Sequence, residues 1–343
     1  MVVLNFYGKI DPICISEKLK LFVSNLPEEE MNEWQSELAE EFEFREFVSN
    51  LSRKRYGHEQ EDRAIQLFTR VFPNAPKPEC VDSKVLKQLA ENMICIYFDY
   101  KYSDMPLGGW ETNCFDGRFC EEDYAEKVVD FINFASYSGG KHSIFPEPTP
   151  QWIYSSNHDE INLFRFFWGG EEAAPYIRSL KEWGRLFDNL LVDKNDYLLL
   201  DYLFNSIHKD AEYNEYHLLK DFSLCQLFLE NKHESELDDK LPQFIDDSDE
   251  QRRLLSAQYF RKLRNKLAHG DFIAFEKVIE EYTSDLMDGH FSFDYSEYSR
   301  KNWAILHICC QLDDIIRALI YLLLTDRQKL QQIKIAELFR VLR

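Results

Sequence analysis

The chain has 343 residues, 45% of them hydrophobic, which suffices for one large domain or two of ordinary size, and two are expected. Its 61 acidic and 40 basic residues give a formal charge of -21. A surface of that sign repels nucleic acid and anionic membrane at long range, so any RNA contact must come from a local basic patch or a basic partner. Eight scattered cysteines and an opening that lacks the basic and apolar regions of a secretory leader read as a cytoplasmic protein with reduced thiols. The most apolar run, 318–325, is far shorter than the ~20 residues needed to cross a bilayer, so no membrane is expected.

From 15 to 71 the apolar residues Leu19, Leu21, Phe22 and Leu26 follow a helical pattern, with acidic runs as the solvated face. Pro73, Pro76 and Pro78 end it, because each lacks a backbone donor and restricts its predecessor. The β-branched and aromatic segment 93–100 predicts a buried strand in a small sheet, and Gly108 and Gly109 supply the turn after it. A helix is predicted over 121–134. The glycines and prolines of 139–150 then read as a linker, placing the domain boundary between 140 and 175.

Beyond 175 the pattern is helical over 176–191, 196–207, 213–229, 250–268 and 295–324, with a short turn at 237–241 before Pro242. The expected fold is therefore mainly α: a mixed α/β N-terminal domain over 1–150, a helical domain over 175–330 and a helical tail over 331–343. Ser248 and Gln251 have the spacing of a capping box at the start of the 250–268 helix, and Gly270 supplies a left-handed end just after His269.

The helix ending at Gly270 carries Arg252, Arg253, Arg261, Lys262, Arg264 and Lys266, a basic exception in an acidic chain. Within it, Arg264, Asn265 and His269 form an R-N-x-x-x-H pattern closed by glycine. This stretch resembles the HEPN superfamily, in particular its ApeA-like group. The helices around Tyr216 to Leu229 and 237–241 resemble the segment that leads into the motif in that family, and 303–320 resembles its closing helix. The resemblance covers roughly 180–325 and implies a HEPN-type bundle.

Spacing alone does not select this pair, since Arg53 with His58 and Arg300 with His307 also fit. Arg53 and His58 read as a basic surface turn, because a glycine precedes the histidine. His307 reads as packing beside Trp303, on a helix that could still line the site. Arg264 and His269 are favoured by Asn265, by the i,i+4 pair Leu263 and Leu267, and by Gly270. On a continuous helix five residues advance about 500°, leaving the two side chains about 140° apart, so they converge only if the helix ends at the histidine. That end also puts His269 at the negative pole of the helix dipole, which favours imidazolium.

The resemblance implies a metal-independent ribonuclease. The ribose 2′-hydroxyl attacks the adjacent phosphorus, His269 gives or takes a proton, Arg264 binds phosphate oxygens and Asn265 orients one of these groups. A 2′,3′-cyclic phosphate and a 5′-hydroxyl result. Arg261, Lys262 and Lys266 are the candidate RNA contacts, no metal or other cofactor is expected, and a homodimer would bring two motifs face to face. By the same likeness the chain reads as a prokaryotic defence or toxin effector with a trigger or cognate inhibitor, and its N-terminal part as a sensor or regulator. The alternative is a HEPN module that only dimerises or scaffolds, with Arg264 ion-paired and His269 acting as a cap. Carboxylate–histidine neighbours at His158, His208 and His233 lack the spacing of a zinc site and read as solvated helix ends.

Overall fold

The computed structural model describes residues 2–28, 68–69, 74–79, 82–98, 117–135, 152–155, 173–207, 213–232, 237–287 and 297–336. Among them the chain is mostly helical with one small antiparallel sheet, and it divides into two units. The first comprises Met1–Tyr137 and Phe145–His208; the second comprises Ser138–Ile144 and Lys209–Arg343.

The first unit holds β1 (Val2–Tyr7), β2 (Ile13–Ser16), β3 (Leu21–Asn25), α1 (Ser83–Ala90), β4 (Met93–Phe98), α2 (Gly117–Ala135), β5 (Trp152–Ser155), α3 (Ala173–Leu190) and α4 (Lys194–Ile207). The strands form a sheet in the order β2-β3-β4-β1-β5, with every neighbouring pair antiparallel. The expected strand at 93–100 is β4, in the middle of this sheet.

The helical reading of Leu19 to Leu26 is corrected. Ile13 pairs with Val23 and Cys14 with Phe22 in a hairpin whose reversal places Lys20 at φ 51°. Apolar residues at 19, 21 and 22 fit a helix period as well as strand alternation, and pairing of β3 with β4 along its whole length decides for the strand. The rest of the expected 15–71 helix lies largely outside the described residues, as does the 139–150 linker.

The unit boundary falls after His208, later than 140–175, because α3 and α4 pack into the N-terminal core. Phe131 of α2 lies 5.9 Å from the ring of Trp183 and 5.0 Å from that of Phe204. Gly184 of α3 presses on β2 so closely that a Cβ there would sit 1.7 Å from the Ile15 carbonyl oxygen. One turn on, the Asp188 carboxylate accepts from the Ser16 hydroxyl and from the backbone N–H groups of Glu17 and Lys18. These helices are amphipathic enough to suit either neighbour, so their pattern does not reveal which core they join.

The second unit contains α5 (Glu215–Leu229), α6 (Leu237–Lys240) with a 3₁₀ turn over Leu241–Gln243, α7 (Glu250–Ala268), α8 (Phe272–Leu286), α9 (Glu297–Thr325) and α10 (Arg327–Ile335). Helix α5 packs against both α7 and α9, and α7 packs against α8. Leu218, Phe222, Phe260, Leu263, Phe275, Tyr282, Ile308, Leu312 and Ile316 are buried in its core. Helix α8 was not foreseen, although Phe275, Val278, Ile279, Tyr282 and Leu286 form a clear buried stripe with i,i+3 and i,i+4 spacing. The closing helix α10 begins earlier than the expected tail at 331. No helix among the described residues is long and apolar enough to cross a membrane.

Candidate functional site

Helix α7 runs over the expected 250–268, but its N-cap is Asp249, not Ser248. The Asp249 carboxylate accepts from the Gln251 N–H at 2.8 Å. A carboxylate is favoured there, since it satisfies an orphan donor and also faces the positive end of the helix dipole. Ser256, Ala257, Tyr259, Phe260 and Leu263 bury one face. After Leu263 the helix emerges: Arg264 through Leu267 are half-buried, and Ala268, His269 and Gly270 are exposed.

The helix closes as the glycine predicts. Gly270 has φ 69°, its N–H bonds to the Leu267 carbonyl at 3.0 Å, and the Asp271 N–H bonds to the Lys266 carbonyl at 2.9 Å. This pair of bonds is the Schellman arrangement, and it leaves His269 as the last residue before the chain turns. Asp271 then caps α8 by accepting from the Ala274 N–H at 3.3 Å, while its other oxygen meets Lys266 Nζ at 3.0 Å. Those bonds, from Lys266 first, hold its carboxyl below the usual carboxylate range.

Arg264 is oriented by its neighbours on α7 and α5. One guanidinium nitrogen donates to Asn265 Oδ1 at 3.0 Å and the other to Gln226 Oε1 at 3.2 Å. The guanidinium carbon stands 5.8 Å from the Phe222 ring centroid. Gln226 is itself held, donating to Glu230 Oε2 at 3.0 Å. The structure thus brings Arg264 and Asn265 together. It does not bring His269 to them through a side chain: the imidazole makes no hydrogen bond or ion pair with another described residue, and only its backbone N–H reaches the Asn265 carbonyl, at 3.1 Å. The helix does end at the histidine, as convergence of the two side chains requires: α7 runs through Ala268 and His269 is its C-cap.

Of the candidate RNA contacts, Arg261 is engaged with buried Asp238, at 2.8 and 3.0 Å from Nε and 2.7 Å from its terminal nitrogen. Lys266 is paired with Asp271, while Lys262 is exposed with its ammonium 5.0 Å from the Tyr259 ring centroid. At the other end of the helix Arg252 pairs with Asp247 at 3.1 Å and Arg253 donates to the Asp247 carbonyl at 2.8 Å. Much of the basic character read from the sequence is therefore met by acidic side chains and carbonyls. Gln226 and Phe222 were missed as partners of Arg264, since they approach from a helix almost forty residues upstream.

His307, one turn beyond Trp303 on α9, also reaches α8, where its Nδ1 lies 2.8 Å from the Tyr282 hydroxyl. Burial, aided by the Arg252 charge, lowers the imidazole pKa. Cys309 and Cys310 are free thiols, as the sequence reading has them. His58, His158, His208 and His233 lie outside the described residues.

A second polar cluster was not singled out at all. His217 and Asp221, one turn apart on α5, face Asp313 of α9; all three are buried. His217 Nε2 lies 2.8 Å from Asp221 Oδ2 and 2.9 Å from Asp313 Oδ1. Lys220 stands 3.3 Å from the other oxygen of Asp221, and Arg317 is 3.7 Å from the other oxygen of Asp313. Burial alone would lower the imidazole pKa, but the hydrogen bonds and charges of the two carboxylates override it and raise it to about 10. Burial foremost, then the Asp313 charge, pushes the Asp221 carboxyl up, against the lowering effect of His217 and Lys220.

No protein-family model, no curated protein and no solved structure matches this chain.

Proposed function

We propose that the second unit is a metal-independent HEPN-type endoribonuclease, with Arg264, Asn265 and His269 as its catalytic residues. The observation that carries the reading is the end of α7: a glycine-closed cap leaves His269 exposed, one turn beyond an arginine whose guanidinium is held by Asn265 and Gln226. An exposed imidazole at a helix C-terminus suits proton transfer, and a guanidinium oriented by the amide oxygens of Asn265 and Gln226 suits the binding of a phosphate.

In this reading the 2′-hydroxyl of the substrate attacks the neighbouring phosphorus and the 5′-oxygen leaves. His269 moves the proton, Arg264 stabilises the charge that grows on the phosphate oxygens, and Asn265 keeps Arg264 aimed. Because Arg264 turns toward α5 and His269 toward solvent, a second copy of α7 would supply the complementary group across a twofold axis. Phe272 and Ile273, 65% and 77% exposed beside the cap, would be covered by such a partner. A role as a prokaryotic defence or toxin effector, with the first unit as a sensor or regulator and a trigger or inhibitor as partner, extends this reading.

A second reading, in which the unit only dimerises or scaffolds, is favoured by the pairing of Arg261 with Asp238 and of Lys266 with Asp271, which leaves less charge for RNA. Incubation of wild type and His269→Ala with end-labelled structured RNA in excess EDTA decides between them. Cleavage by the wild type alone, leaving cyclic-phosphate ends, is the expected result. Equal absence of cleavage from both proteins across several RNAs, in EDTA and equally with Zn²⁺ or Mn²⁺ present, with the fold intact by circular dichroism, would overturn the nuclease reading in favour of the module.

A further inference from the structure

Helices α5 and α9 meet along a ladder of polar residues repeated at one-turn spacing. On α5 it reads His217, Asp221, Cys225; on α9 it reads Cys309, Asp313, Arg317. All six are buried. Such a set is unusual in the middle of a helical core, where polar groups are costly unless fully partnered.

The central three converge on one point. The imidazole nitrogen and one oxygen from each carboxylate all lie within 4.8 Å of one another. A protonated Nε2 has a single hydrogen, yet carboxylate oxygens stand 2.8 and 2.9 Å from it on two sides, so it cannot point well at both. Asp221 shows the deficit: neither of its buried oxygens receives a well-aligned hydrogen bond, despite its proximity to His217 and Lys220.

We propose that His217, Asp221 and Asp313 form a binding site for a first-row divalent metal ion, which joins α5 to α9 inside the second unit. One imidazole nitrogen and two carboxylate oxygens are a donor set suited to zinc or manganese. With metal–ligand bonds of about 2.1 Å and inter-ligand angles of 90–110°, the ligand atoms would stand roughly 3.0–3.4 Å apart. The two imidazole–carboxylate separations need to open by only a few tenths of an ångström, and the carboxylate oxygens, within 4.8 Å of one another, are within reach of the same ion through side-chain rotation. The ion would do what the proton does incompletely, satisfying all three inward-facing atoms at once. Cys225 and Cys309 lie one turn away on the same helix faces and would give the ion a largely dehydrated surround.

Metal and proton compete for Nε2 here, so binding releases a proton and strengthens as pH rises, by roughly tenfold per unit for one displaced proton. Independently of any action on RNA, the ion would hold in place the helix whose Phe222 and Gln226 contact Arg264.

The test uses the full chain, treated with chelator and titrated calorimetrically with Zn²⁺ and with Mn²⁺ in buffers of different ionisation enthalpy, at pH 6 and pH 8. The expected result is about one ion per chain, with proton release and at least tenfold tighter binding at the higher pH. His217→Gln and Asp313→Asn, checked for fold by circular dichroism, should each weaken binding by at least tenfold. Should either fail to fold, the wild-type titration decides alone. A chelated wild type that stays folded and binds neither ion stoichiometrically overturns the proposal, as does undiminished binding in the folded variants.

Discussion

Replacing Gly270 with alanine tests the geometry on which the candidate site depends. The residue sits at φ 69°, and a Cβ built there would meet nothing within 4 Å, so the change introduces no clash and acts through the backbone alone. An L-residue in the left-handed region costs roughly 1–2 kcal/mol. Restricting the unfolded chain returns about 0.4–1 kcal/mol, for a net loss centred on about 0.8 kcal/mol and reaching at most about 1.6 kcal/mol. Urea denaturation followed by circular dichroism reads this loss, and hydrogen exchange localises it: the amides of Gly270 and Asp271, bonded to Leu267 and Lys266, should exchange faster in the variant. Gly270→Asn should lose less than alanine, because asparagine tolerates the left-handed region better. An alanine variant as stable as wild type, with protection at Gly270 and Asp271 unchanged, would refute the claim that a left-handed residue closes α7 and fixes the position of His269.

Gly184→Ala should destabilise the first unit by roughly 1–3 kcal/mol or more, because the new methyl would overlap a backbone carbonyl that a side-chain rotation cannot move; thermal unfolding checks this. Asp238→Ala should lower stability by roughly 1–3 kcal/mol while removing a buried carboxylate from Arg261, so that RNA retention measured by filter binding rises as the unfolding midpoint falls. In chelated protein, stability should decline as pH rises. The folded-state pKa of His217, about 10, lies above its ordinary 6.5, so the proton's contribution is complete below 6.5 and is lost as pH climbs through 10. Asp221 and Lys220 on α5 and Asp313, Cys309 and Arg317 on α9 surround that group, with the Tyr213 ring tilted 46° to the imidazole at 5.0 Å between centroids. Urea midpoints between pH 6.5 and 10 read the slope, and His217→Gln should flatten it.

The helices whose ends carry local signals were the most legible parts of the chain. Helix α7 begins and ends at the expected residues because glycine at 270 has one efficient role there, and the error of a single residue at its N-cap reflects a choice between two competent acceptors, Ser248 and Asp249. The hairpin of β2 and β3 was not legible, since its few apolar residues satisfy two periods and only the partner strand distinguishes them. Likewise Arg264, Asn265 and His269 could be found by pattern, but the acceptor on Gln226 and the pairing of Arg261 with Asp238 depend on helices separated in sequence by 38 and 23 positions. The His217, Asp221 and Asp313 cluster spans 96 positions, with neither half marked by a local motif.

Asp221 and Phe222 are consecutive on α5, one in the polar ladder facing α9 and the other under the guanidinium of Arg264. The helix therefore works as a crankshaft. With side chains reaching about 5–6 Å from the axis, a 20° roll of α5 carries their tips about 2 Å. That displacement exceeds what a hydrogen bond of 3.2 Å between Gln226 and Arg264 can survive. A roll of α5 imposed by a change at the buried ladder would therefore reach the arginine through the same helix that carries both sets of contacts.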